Sequence, residues 1–167
     1  RSALPHGEAT DKIIELGDLV TIDFGYYVNG YTSDVTRTIA MGTISDELRE
    51  VYAVVKQANE NAIDIVKPGI SGSEIDSVAR EYITNHGFGE FYNHSTGHGV
   101  GLDIHEGPAL SSRSSDEMQS GHLLTIEPGI YLPGKGGVRI EDDVIVTSDG
   151  YENLTEGITK SLVIIEG

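Results

Sequence analysis

Three of the chain's six histidines, His94, His98 and His105, fall within twelve residues of the glycine-crowded stretch NHSTGHGVGLDIHEGP (93–108). Imidazoles can ligate a metal or move protons, yet a loop histidine can also do neither, and spacing alone leaves all three readings open. Four acids carry a comparable question. Asp23 in TIDFG and Asp34 in TSDVT lie on two β-prone runs, 18–24 and 31–41, either side of YYVNG. Asn29-Gly30 is a strong signal for a two-residue hairpin turn. If it closes one, Val28 pairs with Tyr31 and Asp23 faces Thr36. Asp34, two residues from Thr36, then shares that face, with the two acids about 7–8 Å apart at the backbone. They can hold a cation between them or both point to solvent. Glu127 in TIEPG follows the apolar run LLTI, where an acid is costly to bury unless something neutralises it. In VRIEDD, Arg139 and Glu141 share a face by strand alternation, and Val138 and Ile140 take the other. The irregular 133–137 loop leaves open whether Glu127 and Glu141 meet.

The elements that must position these residues follow from pattern. Ser45 is a plausible N-cap for a helix over 45–66, with Asp46 and Glu47 in its positive first turn. Leu48, Val51, Tyr52, Val55, Ala62 and Val66 form its apolar stripe, and Pro68-Gly69 ends it. Ser71 and Glu74 fit a capping box for a second helix with the stripe Ile75, Val78, Ala79, Tyr82 and Ile83, stopping at Gly87. Segments 122–128, 129–132, 137–147 and 161–166 read as strands. Strands, two helices, then strands predict an α+β domain with a largely antiparallel sheet.

Composition narrows the function classes. Eleven Lys and Arg against 27 Asp and Glu give a net charge of −16, which repels phosphate backbones and anionic membranes. We therefore expect no nucleic-acid partner and no membrane association. No apolar run approaches the roughly 20 residues that span a bilayer, and no signal peptide is visible, which predicts a cytoplasmic location. Without cysteine there is no disulfide and no thiolate chemistry. DFG at 23–25 lacks the companion motifs of a kinase, and GHGVG lacks the strand before and helix after that a dinucleotide fingerprint needs.

Taken in order, Asp23 in TIDFG, Asp34 in TSDVTRT, His98 in GHGVGLDIHE, Glu127 in TIEPG and Glu141 in RIEDD resemble the pita-bread metallopeptidases, the group of methionine aminopeptidases, aminopeptidase P and prolidase. The likeness runs from LPHG around His6 to the last strand. It is closer to the Xaa-Pro peptidases: Arg139 stands where methionine aminopeptidases usually carry Gln, and LPHG, the histidine trio and IEPGIY fit aminopeptidase P and prolidase. The resemblance implies a pita-bread (creatinase/aminopeptidase-like) fold with a curved sheet, a single catalytic domain over 1–167. It also implies that the domain is truncated at its N-terminal helices and lacks the family's small N-terminal domain. Uncovered apolar sheet surface would then favour association.

The same resemblance implies the chemistry. Asp23 would bind one divalent ion, His98 and Glu127 the other, and Asp34 and Glu141 both, with manganese first and cobalt, zinc or iron as alternatives. A hydroxide bridging the ions would cleave the N-terminal Xaa-Pro bond of a dipeptide or longer peptide. Glu127 would carry the proton to the leaving nitrogen and His105 would support the oxyanion. His94 and His6 would contact the substrate around proline. Arg139 would fix Glu141 or meet a substrate carboxylate, and Tyr131 is a further pocket residue. A homodimer is expected. Methionine aminopeptidase activity and a peptide-binding module without turnover are the alternatives.

Overall fold

A computed structural model describes residues 1–166. The chain opens with β1 (Leu19–Phe24), β2 (Tyr27–Val28), β3 (Tyr31–Thr32) and β4 (Val35–Met41), then α1 (Asp46–Asp64) and α2 (Gly72–Asn85). After a 3-10 turn at Gly89–Phe91 come β5 (Gly97–Gly99), β6 (Glu106–Leu110), β7 (Leu123–Ile126), β8 (Gly129–Leu132), β9 (Gly136–Arg139), β10 (Asp142–Val146), β11 (Tyr151–Asn153) and β12 (Ile164–Ile165).

Both helices start where their caps put them. The Ser45 side chain accepts from the Leu48 N–H. Ser71 and Glu74 form the reciprocal capping box, each side chain accepting from the other's main chain. α1 stops at Asp64, two residues before the predicted end, and buries Leu48, Val51, Tyr52, Val55 and Ala62 as its stripe requires. α1 packs on β7, β8 and β9, while α2 packs on β6 and the 3-10 turn. The core between helices and strands includes Leu124, Ile126, Ile130, Val138, Ile140 and Val144. Burying an Ile or Val side chain stabilises by about 1.5–3 kcal/mol. Ile126 and Ile140, fully buried, thus offset part of the cost of the acids that follow them.

The sheet is α+β in the expected sense but subdivided. Strand order is β1-β4-β12 in one ladder and β11-β10-β7-β5-β6 in another, with β2-β3 and β8-β9 as two-stranded pairs. Among the described residues only β12 with β4 runs parallel. The predicted strand 137–147 is interrupted at Ile140–Glu141, and 161–166 shrinks to two residues. β5 has no strand signature in its sequence, GHG. It is a strand because neighbouring backbone closes on it: a Cβ on Gly97 would collide with the Thr125 carbonyl, and one on Gly99 with that of Gly107.

No helix of the described residues is long and apolar enough to cross a membrane. Several large apolar side chains stand exposed: Ile22 and Phe24 on β1, and Tyr26, Tyr27, Val28 and Tyr31 around the first hairpin tip.

Candidate metal centre

Two interrupted hairpins build the site. In the first, Leu19 pairs with Ala40 through to Phe24 with Val35, and the same register resumes at Tyr27 with Thr32 and Val28 with Tyr31. Asn29 (φ 53°) and Gly30 (φ 89°) supply the two left-handed residues the tight turn demands. Asp23 faces Thr36 as the turn predicts, and Asp34 sits at the edge of the gap, buried. In the second hairpin Ile126 pairs with Asp142 and Gly129 with Arg139, again one register, which sets Glu127 opposite Glu141 in the gap. Their main chains turn outwards. The Glu127 N–H donates to the Thr96 carbonyl at 2.7 Å and the Glu141 N–H to the Thr36 carbonyl at 3.1 Å. The second gap is thereby tied on one side to the residue before β5 and on the other to β4, and both glutamates point inwards.

The ligand atoms of His98, Glu127 and Glu141 lie within 4.8 Å of one another, as do those of Asp23, Asp34 and Glu141. Glu141 is common to both trios. A third trio joins Asp34 and His98 to His105, whose ring centroid is 4.3 Å from that of His98. The tautomer of His98 follows from its partners. Nδ1 lies 3.0 Å from the Gly99 carbonyl, which can only accept, so Nδ1 carries the proton. Nε2 is left with its lone pair inwards, 3.4 Å from Glu127 and 3.9 Å from Asp34. Burial holds His98 below the usual imidazole pKa, the neutral form a metal requires.

The acids are crowded without a counter-charge large enough to relieve them. Burial, then the charge of Asp23, pushes Asp34 up to about 6. Burial pushes Glu127 up to about 8, with Arg139 opposing and Asp34 and Asp23 adding to the rise. Glu141, buried against Glu127 and Asp34, is raised well above the ordinary carboxylate range. Two like charges about 4 Å apart repel by roughly 4 kcal/mol at an effective dielectric of 20. Four carboxylates and an inward imidazole lone pair form a borderline-hard donor set of the kind that suits manganese, cobalt, iron or zinc. The residues fit divalent cations, with Glu141 shared between the two trios.

The other residues singled out from the sequence converge on the same face. Arg139 meets Asp23 at 2.6 Å rather than Glu141. Its remaining bonds go to Tyr131 Oη, the Pro5 carbonyl and Thr36 Oγ1. Thr36 Oγ1 in turn donates to Glu141. Arg139 therefore reaches Glu141 only through Thr36. The His94 Nδ1–H donates to the Ser95 carbonyl, and Nε2 accepts from Tyr131 Oη at 2.9 Å. Burial, followed by the nearby cations, lowers His94 to about 4, so its ring is neutral at pH 7. His6 is exposed in a cleft it shares with Pro5, Asp23 and Arg139.

One supporting group was not singled out from the sequence. Asp76 of α2 is fully buried and paired bidentately with Arg80, both bonds 2.8 Å. Arg80 also donates to the Tyr92 and His94 carbonyls, and Asp76 accepts from the Thr96 N–H and hydroxyl. The pair anchors the segment 92–96 that leads into β5 and carries His94 and Thr96 just ahead of His98. Its signal was present: an acid beside the buried stripe residue Ile75, with arginine four residues on. Asp76→Ala is expected to destabilise the fold by about 3 kcal/mol, the lower end for breaking a buried pair because Arg80 reaches solvent. Denaturant unfolding checks this.

Residues 1–148 match metallopeptidase family M24. The chain belongs to that family. The M24 chain is 51% identical over 156 residues to the Xaa-Pro dipeptidase of Pyrococcus furiosus, covering 93% of itself and 45% of that protein. Among solved structures it resembles an Xaa-Pro dipeptidase from Bacillus anthracis (55% identity, TM-score 0.96, 99% of this chain and 46% of that one). An X-Pro aminopeptidase from Thermotoga maritima is similar at 48% identity and TM-score 0.95, over 99% of this chain and 47% of that one. The fold is thus the pita-bread fold of M24. The chain spans about half the length of the curated relatives it matches.

Proposed function

We propose that this protein hydrolyses the bond between an N-terminal residue and proline, as an Xaa-Pro dipeptidase or aminopeptidase dependent on two divalent ions, manganese first among them. The observation that carries the reading is the convergence of Asp23, Asp34, His98, Glu127 and Glu141 into two trios sharing Glu141. High identity to Xaa-Pro dipeptidases supports the substrate class. Assembly as a homodimer belongs to the same reading and rests on the family resemblance alone.

Bound between these residues, the ions would supply a water acidified toward neutral pH and positive charge to polarise the scissile carbonyl. The rest falls to the chain. Asp23 would hold one ion, His98 and Glu127 would hold the other, and Asp34 and Glu141 would contribute to both. Glu127 takes the proton of the attacking water and passes it to the leaving imide nitrogen, which cannot depart as an anion. His105, next to His98, faces the developing oxyanion. His94, neutral and edge-on to Tyr92, offers an apolar ring to proline. Tyr131 holds that ring through its hydroxyl and is held in turn by Arg139, which orients Asp23. His6 lines the approach.

The test pairs elemental analysis after manganese loading with Ala-Pro and Xaa-Pro-peptide hydrolysis on the same sample. About two ions per chain with turnover is the expected result. Faster release of methionine from Met-Ala would move the protein to the methionine aminopeptidases. Two ions with peptide binding and no turnover would make it a binding module.

A further inference from the structure

The gap that brings Glu127 opposite Glu141 is filled from behind by a helix side chain. Asn59 of α1 is fully buried on a face that is otherwise Val51, Tyr52, Val55, Ala58 and Ala62. Its amide nitrogen donates to the Ile126 carbonyl at 2.8 Å and to the Ile140 carbonyl at 3.3 Å. These are the peptide groups immediately before Glu127 and Glu141. The carboxamide oxygen accepts from Lys160 at 2.7 Å, which fixes its orientation: flipped, it would set oxygen against two carbonyls and N–H against an ammonium. Lys160 pairs also with Asp142 at 2.8 Å, and Asp142 with Arg37 at 2.9 Å. Arg37 returns to the carbonyls of Thr36 and Glu141. The backbone on both sides of Glu141, and before Glu127, is thereby pinned to one charged cluster behind the site.

We propose that Asn59 is a positioning residue for the metal centre: its two N–H bonds set the separation of Glu127 and Glu141, and Lys160 locks its amide for that task. The inference rests on the metal-dependent reading above. A hydrophobe would fill the same volume and suit the helix better, so a buried asparagine here serves its hydrogen bonds. Neither Asn59 nor Lys160 belongs to either ligand trio. Their contacts reach the ligands through the backbone around the two glutamates and the Lys160–Asp142–Arg37 cluster behind it. The charge that Asn59→Asp adds would by itself raise cation affinity, opposite to the loss expected of misplaced glutamates.

Two variants and one control test this. Asn59→Asp keeps shape and the Lys160 contact but puts a second oxygen against the two carbonyls. Asn59→Ser removes the bridge with a smaller change and carries the test if the aspartate variant does not fold. Val51→Ala lowers stability from the same buried face without touching either carbonyl. Manganese affinity is measured by calorimetry, and the visible absorption of the cobalt-loaded protein reports ligand geometry. Supporting residues around metal ligands typically change affinity about 10–100-fold. We expect that loss and an altered cobalt spectrum in the Asn59 variants, with Val51→Ala within threefold of the parent (on the order of RT) at a comparable drop in Tm. Parental affinity and spectrum in both Asn59 variants would overturn the proposal, as would an equal loss in Val51→Ala. A parent protein that binds no manganese would overturn the metal reading itself, and this inference with it.

Discussion

Glu127→Gln is expected to lower Ala-Pro hydrolysis by at least about a thousandfold while leaving the fold intact. A positioned acid–base group contributes about 10²–10⁴ in rate, and Glu127 is asked for more than that. In the proposed reaction it supplies a ligand oxygen beside His98, within 4.8 Å of the ligand atoms of His98 and Glu141, and also carries a proton between water and nitrogen. Glutamine is isosteric and preserves the backbone bond from residue 127 to the Thr96 carbonyl. It offers an amide where a carboxylate oxygen is needed, and it cannot take up a proton near neutral pH. The same variant should be no less stable than the parent without metal, because it removes a buried acid crowded by Asp34 and Glu141. Steady-state hydrolysis with added manganese, alongside circular dichroism, reads both effects. Activity within tenfold of the parent would take the proton-carrying role away from Glu127.

How much of this site the sequence could reveal depended on what fixes each register. Asn29-Gly30 admits one turn, and a two-residue turn leaves no freedom in the pairing. Asp23 opposite Thr36 was therefore legible from spacing alone, and Asp34 near it. The second hairpin turns through Pro133-Gly134-Lys135, where Gly134 takes the left-handed conformation (φ 76°). A longer turn permits several registers, so the meeting of Glu127 and Glu141 stayed open until the three-residue turn was seen. The helices were readable to within two residues because caps and stripes are local signals. β5 was not: His98 becomes a strand residue through the closeness of Thr125 and Gly107 to its flanking glycines, which only the tertiary fold supplies. Asp76, Arg80, Asn59 and Lys160 escaped for a related reason. Periodicity marks which face is buried but not which buried polar groups find partners.

Without metal, the protein is expected to lose stability as pH rises, the reverse of ordinary acid denaturation. Unfolded Asp and Glu titrate near 4. In the folded chain Asp34 is raised to about 6, Glu127 to about 8, and Glu141 well upward, burial being the first cause for each. Asp143, raised by burial to about 6, acts in the same direction. At these four acids the folded state holds more protons than the unfolded one from about pH 4 to 8. By linkage their contribution to stability is fully present below about pH 4 and declines as pH climbs through the folded pKa values. Asp142 acts oppositely: its burial is outweighed by Lys160, Arg37 and Thr155, so it is lowered and favours folding above pH 4. Asp18 and the exposed Glu74 act the same way, as do His94 and His98, which burial lowers. All of these contributions are complete by about the ordinary imidazole pKa of 6.5, whereas Glu127 and Glu141 go on losing stability above it, so the net slope toward pH 8.5 stays downward. Each pKa unit is about 1.36 kcal/mol, and a loss of a few kcal/mol moves Tm by roughly 5–10 °C in a chain of this size. Chelated protein should therefore melt at least about 5 °C lower at pH 8.5 than at pH 5. Saturating manganese at pH 8.5 should reverse the order, since cations bind the ionised acids and stabilise by about 2.7 kcal/mol at a hundredfold excess over Kd. Thermal unfolding at both pH values, with chelator and with manganese, decides it. A chelated protein that melts no lower at pH 8.5 would mean that the acids ionise freely and are not crowded as described.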